Sequence, residues 1–123
     1  MNAKTKLQAL VLILAVGLLP TLVPAGAHAG DEVRTVKITA QRFKYTPDEI
    51  TLKKGVPVVL ELTSLDRTHG FSCPDLGIRA DVVPGKPARI SLTPDKTGRF
   101  LFHCDIFCGS GHEDMAGTIV VTD

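Results

Sequence analysis

From Thr35 onward the chain alternates apolar and polar residues with a period of two, in short runs broken by Gly, Pro and Asp. A helix cannot bury such a pattern on one side, whereas a half-buried strand does so directly. Val36 and Ile38 alternate with Thr35, Lys37 and Thr39, and Ile50 and Leu52 precede a turn at Lys54-Gly55. Val58, Leu60 and Leu62 alternate with Glu61 and Thr63. A Pro84-Gly85 turn leads into a strand carrying Ile90 and Leu92, the turn TPDKTG leads into RFLFHC, and GTIVVT follows as a further strand. No window after residue 30 has a helical period. About seven short strands with turn signals between them predict an all-β, two-sheet antiparallel sandwich.

Before that domain, Lys4 and Lys6 precede an apolar run from Leu7 to Leu19, followed by Pro20, Pro24 and the small residues Ala27 and Ala29. A transmembrane helix needs about 20 apolar residues, and this run falls short, so the layout predicts a secretory signal peptide over residues 1–29, cleaved after Ala29. The domain is then residues 30–123, exported to the periplasm, with membrane contact expected only if the leader is not removed. Lys4 and Lys6 leave with the leader, so the 14 basic residues fall to 12 against 13 acidic ones. That near-neutral balance argues against nucleic acid or an anionic surface as a partner. A single domain of this size, expected to be a monomer, buries only roughly 60–65% of its unfolded surface and is helped by a second source of stability.

The stretch HCDIFCGSGHEDM, His103 to Met115, concentrates the donor atoms of the domain. With Met1 and His28 lost to the leader, Met115 is the one methionine left, and His69, His103 and His112 are the histidines; Cys104 and Cys108 lie in the stretch and Cys73 lies apart. On the strand RFLFHC, Phe100, Phe102 and Cys104 share the core face and His103 the outer one. Thiolate, imidazole and thioether form a soft donor set that favours copper, with zinc and iron–sulfur as rivals. Gly109 and Gly111 let the backbone turn tightly between the second cysteine and His112. Two thiolates a turn apart can bridge two metal ions, which then need an imidazole from outside the loop, and His69 is the candidate.

The arrangement CxxxCGxxHxxM, preceded by D-x-x-H (Asp66 to His69) and by LGI..D..PG (Leu76 to Gly85), resembles the binuclear copper (CuA) domain of cytochrome c oxidase subunit II and the copper-transfer domain of nitrous oxide reductase, both cupredoxins. The resemblance runs from about Val36 to Val121 and implies a cupredoxin-like Greek-key sandwich. It makes Cys104 and Cys108 bridging thiolates, gives one copper His69 and Met115, and gives the other His112 and the backbone carbonyl of Ile106. It further implies two copper ions sharing one unpaired electron, an electron relay that is not itself an enzyme, and redox partners such as a c-type cytochrome, an oxidase or a reductase. The chain departs from the oxidase subunit in having Ile106 where that family carries an acidic residue, Phe71 in place of a tryptophan, and no Trp at all.

Plainer readings stand beside these. Cys104 and Cys108 form a disulfide in many exported proteins, and that pair is expected in air-exposed apoprotein; the ligand spacing favours metal otherwise. His103 reads as a solvent-facing strand residue, Cys73 as a buried small hydrophobe, Phe71 as core packing, and Asp105, Glu113 and Asp114 as a solvated acidic rim. The rival functions are a periplasmic copper carrier serving oxidase assembly, a mononuclear type 1-like copper relay, and, more remotely, a structural zinc site.

Overall fold

The computed structural model describes residues 32–123 and, before them, Gly17 alone. The leader expected over residues 1–29 otherwise lies outside the described residues, among which no helix is long and apolar enough to cross a membrane.

Nine strands form within the unit Asp31–Asp123: β1 (Arg34–Gln41), β2 (Lys44–Thr46), β3 (Glu49–Lys53), β4 (Val58–Ser64), β5 (His69–Cys73), β6 (Ile78–Val82), β7 (Ala88–Leu92), β8 (Gly98–His103) and β9 (Ala116–Thr122). Short 3₁₀ turns at Pro74–Leu76 and His112–Asp114 are the only helical pieces among the described residues. A four-stranded sheet has the order β2-β1-β4-β7, and a five-stranded sheet the order β3-β9-β8-β5-β6.

The period-two pattern does what it predicts. In β4 the residues Val58, Leu60, Leu62 and Ser64 are buried while those between are only partly so, and β3 buries Ile50 and Leu52 alone. Two strands are additional to those expected, β2 and β6. Wholly antiparallel pairing is also corrected: β1 runs parallel to β4, and β3 parallel to β9. Parallel neighbours need a crossover of a dozen or more residues. Residues 42–57 supply one for β1 and β4, passing through β2 and then through β3 in the facing sheet.

Val36, Ile38, Leu60 and Leu62 of one sheet meet Leu52, Phe71, Phe102 and Ile119 of the other in one core cluster. Burial of each such side chain contributes about 1.5–3 kcal/mol. Tyr45 stands edge-on to Phe71 and Phe102, with ring centroids 5.8 and 5.1 Å away, and those two phenylalanines lie 4.7 Å apart. Cys104, Cys108 and Met115 belong to the same cluster, so the sulfurs of the donor loop extend the core at one end of the sandwich.

Candidate metal centre

Two parts of the fold converge here: the start of β5 and the β8–β9 connection, which ends at Met115. The β8–β9 ladder ends at the pair His103–Ala116, and one further rung, the Cys104 N–H donating to the Met115 carbonyl at 3.0 Å, closes the base of the loop. Residues 105–114 hang from that rung. The N–H of His112 donates to the Gly109 carbonyl and that of Met115 to the His112 carbonyl, winding the chain back toward β9. Gly109 and Gly111 have φ of 136° and 110°, a region that side chains avoid. A Cβ on either would also press on the ring of Phe43.

All six residues singled out from sequence gather at this point. One ring nitrogen of His69 and the sulfurs of Cys104 and Cys108 lie within 4.8 Å of one another. The two sulfurs are 4.0 Å apart and both thiols are free. Cys108 Sγ is 3.6 Å from His112 Nδ1 and 3.9 Å from Met115 Sδ, while the Cys104 thiol donates to the Ile106 carbonyl at 3.1 Å. His69, Cys108 and Met115 have no exposed surface and Cys104 almost none; His112 is half-buried.

His69 Nε2 lies 2.6 Å from Asp66 Oδ1, whereas Nδ1 is buried and has no partner among the described residues. The carboxylate therefore holds the Nε2–H tautomer and leaves a bare lone pair on Nδ1. An unsatisfied buried nitrogen costs about 1–3 kcal/mol. Set against two free thiols and a thioether, it fits a soft metal ion, which takes that lone pair.

Electrostatics keep the metal-free site in its neutral thiol form while holding the carboxylate behind His69 charged. Burial and then the neighbouring Cys104 sulfur push the Cys108 thiol up to about 11, with Arg67 pulling the other way. Burial also works against the Asp66 carboxylate, but the Arg42 N–H, the His69 ring and the Arg67 N–H hold it down at about 2. The Tyr45 hydroxyl, raised far above its ordinary range by burial and then by Cys104, donates to the Gly70 carbonyl at 2.5 Å; the Gly70 N–H in turn donates to Cys104 Sγ at 3.3 Å.

The remaining candidates fall where their plainer readings put them, with one correction. His103 is half-buried at the end of β8 and outside the cluster, paired in register with Ser72, and Cys73 is buried in the core away from the other sulfurs. Phe71 packs among the aromatic rings. Glu113 and Asp114 are exposed. Asp105 is no free rim charge: Arg79 grips it through Nε and Nη2 at 2.7 and 3.0 Å, which holds its carboxyl below the usual range. Asp105 thereby closes over Gly70, where a side chain would strike it.

Sequence reasoning missed Arg42, Phe43, Tyr45, Arg67 and Arg79 as neighbours of the loop. Asp66 was visible as part of D-x-x-H, but its bond to His69 was not. An arginine or aromatic far away in the chain carries no local signature of what it will touch.

Comparison with known proteins agrees with this geometry. The family model for the cupredoxin-like domain matches residues 10–121. Cytochrome c oxidase subunit 2 of Thermus thermophilus is 35% identical over 99 residues, covering 80% of this chain and 73% of that protein. Nitrous-oxide reductase of Ralstonia nicotianae is 38% identical over 91 residues, which are 71% of this chain and 14% of that enzyme. The crystal structure of the periplasmic domain of cytochrome oxidase subunit II from Bradyrhizobium japonicum superposes with a TM-score of 0.68 at 22% identity, covering 73% of this chain and 84% of that one. The chain belongs to the cupredoxin-like family, as a homologue of the CuA domains of cytochrome c oxidase subunit II and nitrous-oxide reductase.

Proposed function

We propose that this protein is an exported one-electron carrier that works through a binuclear copper centre of the CuA type and has no substrate site of its own. In this reading residues 1–29 are a leader, and residues 30–123 are a periplasmic module that exchanges electrons with a c-type cytochrome, an oxidase or a reductase. The observation that carries the proposal is the buried, partnerless Nδ1 of His69 beside two free thiols, with His112, Met115 and the Ile106 carbonyl closing the set.

Cys104, Cys108, His69, His112, Met115 and the Ile106 carbonyl would hold the copper, which would supply a one-electron couple. The chain's part is to keep its donors still while the charge changes. Cys104 is fixed by the rung to Met115 and by the Gly70 N–H, and His69 by Asp66. The aromatic core behind Cys104 excludes water, so little solvent reorganises around the sulfurs. His112 is the half-buried ring of the set, and the exposed Phe107 lies 5.8 Å from it, centroid to centroid. That edge is the short route for an electron. Loading with copper would release the Cys108 proton, so the metal would be held more tightly as the pH rises.

Copper reconstitution of the reduced protein, with metal counting and electron paramagnetic resonance, tests the reading. Two coppers per chain with hyperfine structure from both nuclei are expected. Cys104→Ser and Cys108→Ser should each abolish the paired signal, and His103→Ala should leave it unchanged. One copper with a single-nucleus pattern would establish the mononuclear relay instead. Rapid loss of copper to an acceptor protein would establish delivery.

A further inference from the structure

Arg42 follows β1 and Arg67 precedes β5, yet both point their guanidinium groups at one atom. Arg42 Nε donates to the Cys108 carbonyl oxygen at 3.0 Å, and Arg67 Nη1 donates to the same oxygen at 3.3 Å. A carbonyl oxygen has two lone pairs and accepts both. Among the described residues neither guanidinium lies within 4.0 Å of a carboxylate. Asp66, adjacent to Arg67 in sequence, takes the backbone N–H groups of Arg42 and Arg67 at 2.8 and 2.7 Å and faces His69. Of the loop's own acids, Asp105 is matched by Arg79, and Glu113 and Asp114 are exposed. Two positive charges thus bear on the peptide unit that carries one of the two central sulfurs, and Phe43, next to Arg42, packs on the glycines that follow it.

We propose that Arg42 and Arg67 form a guanidinium clamp on the Cys108 carbonyl that raises the reduction potential of the centre and holds the 108–111 turn in its liganding shape. The inference rests on the copper reading above. Gain of an electron makes the centre more negative, and fixed positive charges close by favour that state through space and through the polarised carbonyl. Arg42 and Arg67 are positioning residues here, because they reach the metal only through Cys108.

The test uses Arg42→Gln, Arg67→Gln and the double variant, with Arg42→Lys and Arg67→Lys keeping the charge. Midpoint potentials of the copper-loaded proteins are read by mediated redox titration at low and high salt. Each Gln change is expected to lower the reduced-to-oxidised ratio at a fixed ambient potential by on the order of threefold to tenfold, tenfold being about 59 mV for one electron. The double variant should shift further, the Lys variants should stay close to the parent, and salt should narrow the gap. A Lys variant displaced as far as its Gln counterpart overturns the charge effect, as does a double Gln variant with the parent's potential. A second measurement needs no metal: in the reduced apoprotein, amide hydrogen exchange from Ser110 to Glu113 should quicken in the double Gln variant. Unchanged exchange overturns the holding role. Absence of a paired copper signal in the parent protein would count against the function proposed above, while the apoprotein exchange decides the clamp separately.

Discussion

Asp66 shows how much one side chain organises beneath the donors. Its two oxygens take the backbone N–H groups of Arg42 and Arg67 and face the His69 ring, tying the turn after β1 to the entry of β5. The carboxyl is held at about 2, below its ordinary 3.8. A carboxyl depressed in the folded state lends stability in full above its unfolded pKa and loses it as the pH falls through the folded one. In reduced, metal-free protein the decline attributable to Asp66 therefore runs from about pH 4 down to about pH 2. Asp66→Asn should flatten that part of the curve and cost about 1 kcal/mol at neutral pH, a figure discounted because the side chain is 32% exposed. Urea unfolding midpoints across this range supply the measurement, and parallel curves for the two proteins would remove Asp66 from the account. The six residues that gather at the site were named from the sequence, five because they fall in motifs of fixed spacing and Ile106 because the resemblance assigns its backbone carbonyl. The residues holding them were not. Arg42 and Cys108 are 66 positions apart and Tyr45 and Gly70 are 25 apart, and only the folded sheets bring such pairs together.

At the scale of strands, the sequence announced those whose apolar residues alternate over five or more positions. β2 is three residues long, and β6 reads IRADV with half-buried Ile78 and Ala80 on its inner side; neither carries enough apolar contrast to stand out. Pairing direction was hidden too, because a strand's own pattern records which face is buried and not which neighbour lies alongside. The match between β8 and β9 is specific in another way. Phe102 stands opposite Gly117, and a Cβ on that glycine would run into the phenyl ring and the Asp48 carbonyl. The glycine makes room for a core aromatic next to Cys104. Gly117→Ala should destabilise the fold by about 1–3 kcal/mol, the usual range for overpacking. Pairing it with Phe102→Leu should recover part of that loss, as seen by thermal unfolding of both variants; an additive double variant would locate the strain at Asp48 instead.

Taken whole, the domain is small and places Cys104, Cys108 and Met115 inside the core cluster of the described residues, so on the copper reading metal binding and folding are coupled. A ligand that binds the native state alone adds about 2.7 kcal/mol at a free concentration one hundred times its Kd. For a domain of this size each kcal/mol moves Tm by roughly 4–8 °C. Copper loading of the reduced protein should therefore raise Tm by about 10 °C or more, and a chelator should reverse the gain; calorimetry with identical loaded and stripped Tm values would contradict the coupling. The sheet order carries a last consequence. β9 lies between β3 and β8, so the segment that follows the donor loop is the one inserted down the middle of its sheet. A nascent chain halted at Asp114 would own all but one of the donors and still have a gap where that strand belongs. On the copper reading, the liganding geometry is complete only once Met115 and the strand that follows it are in place.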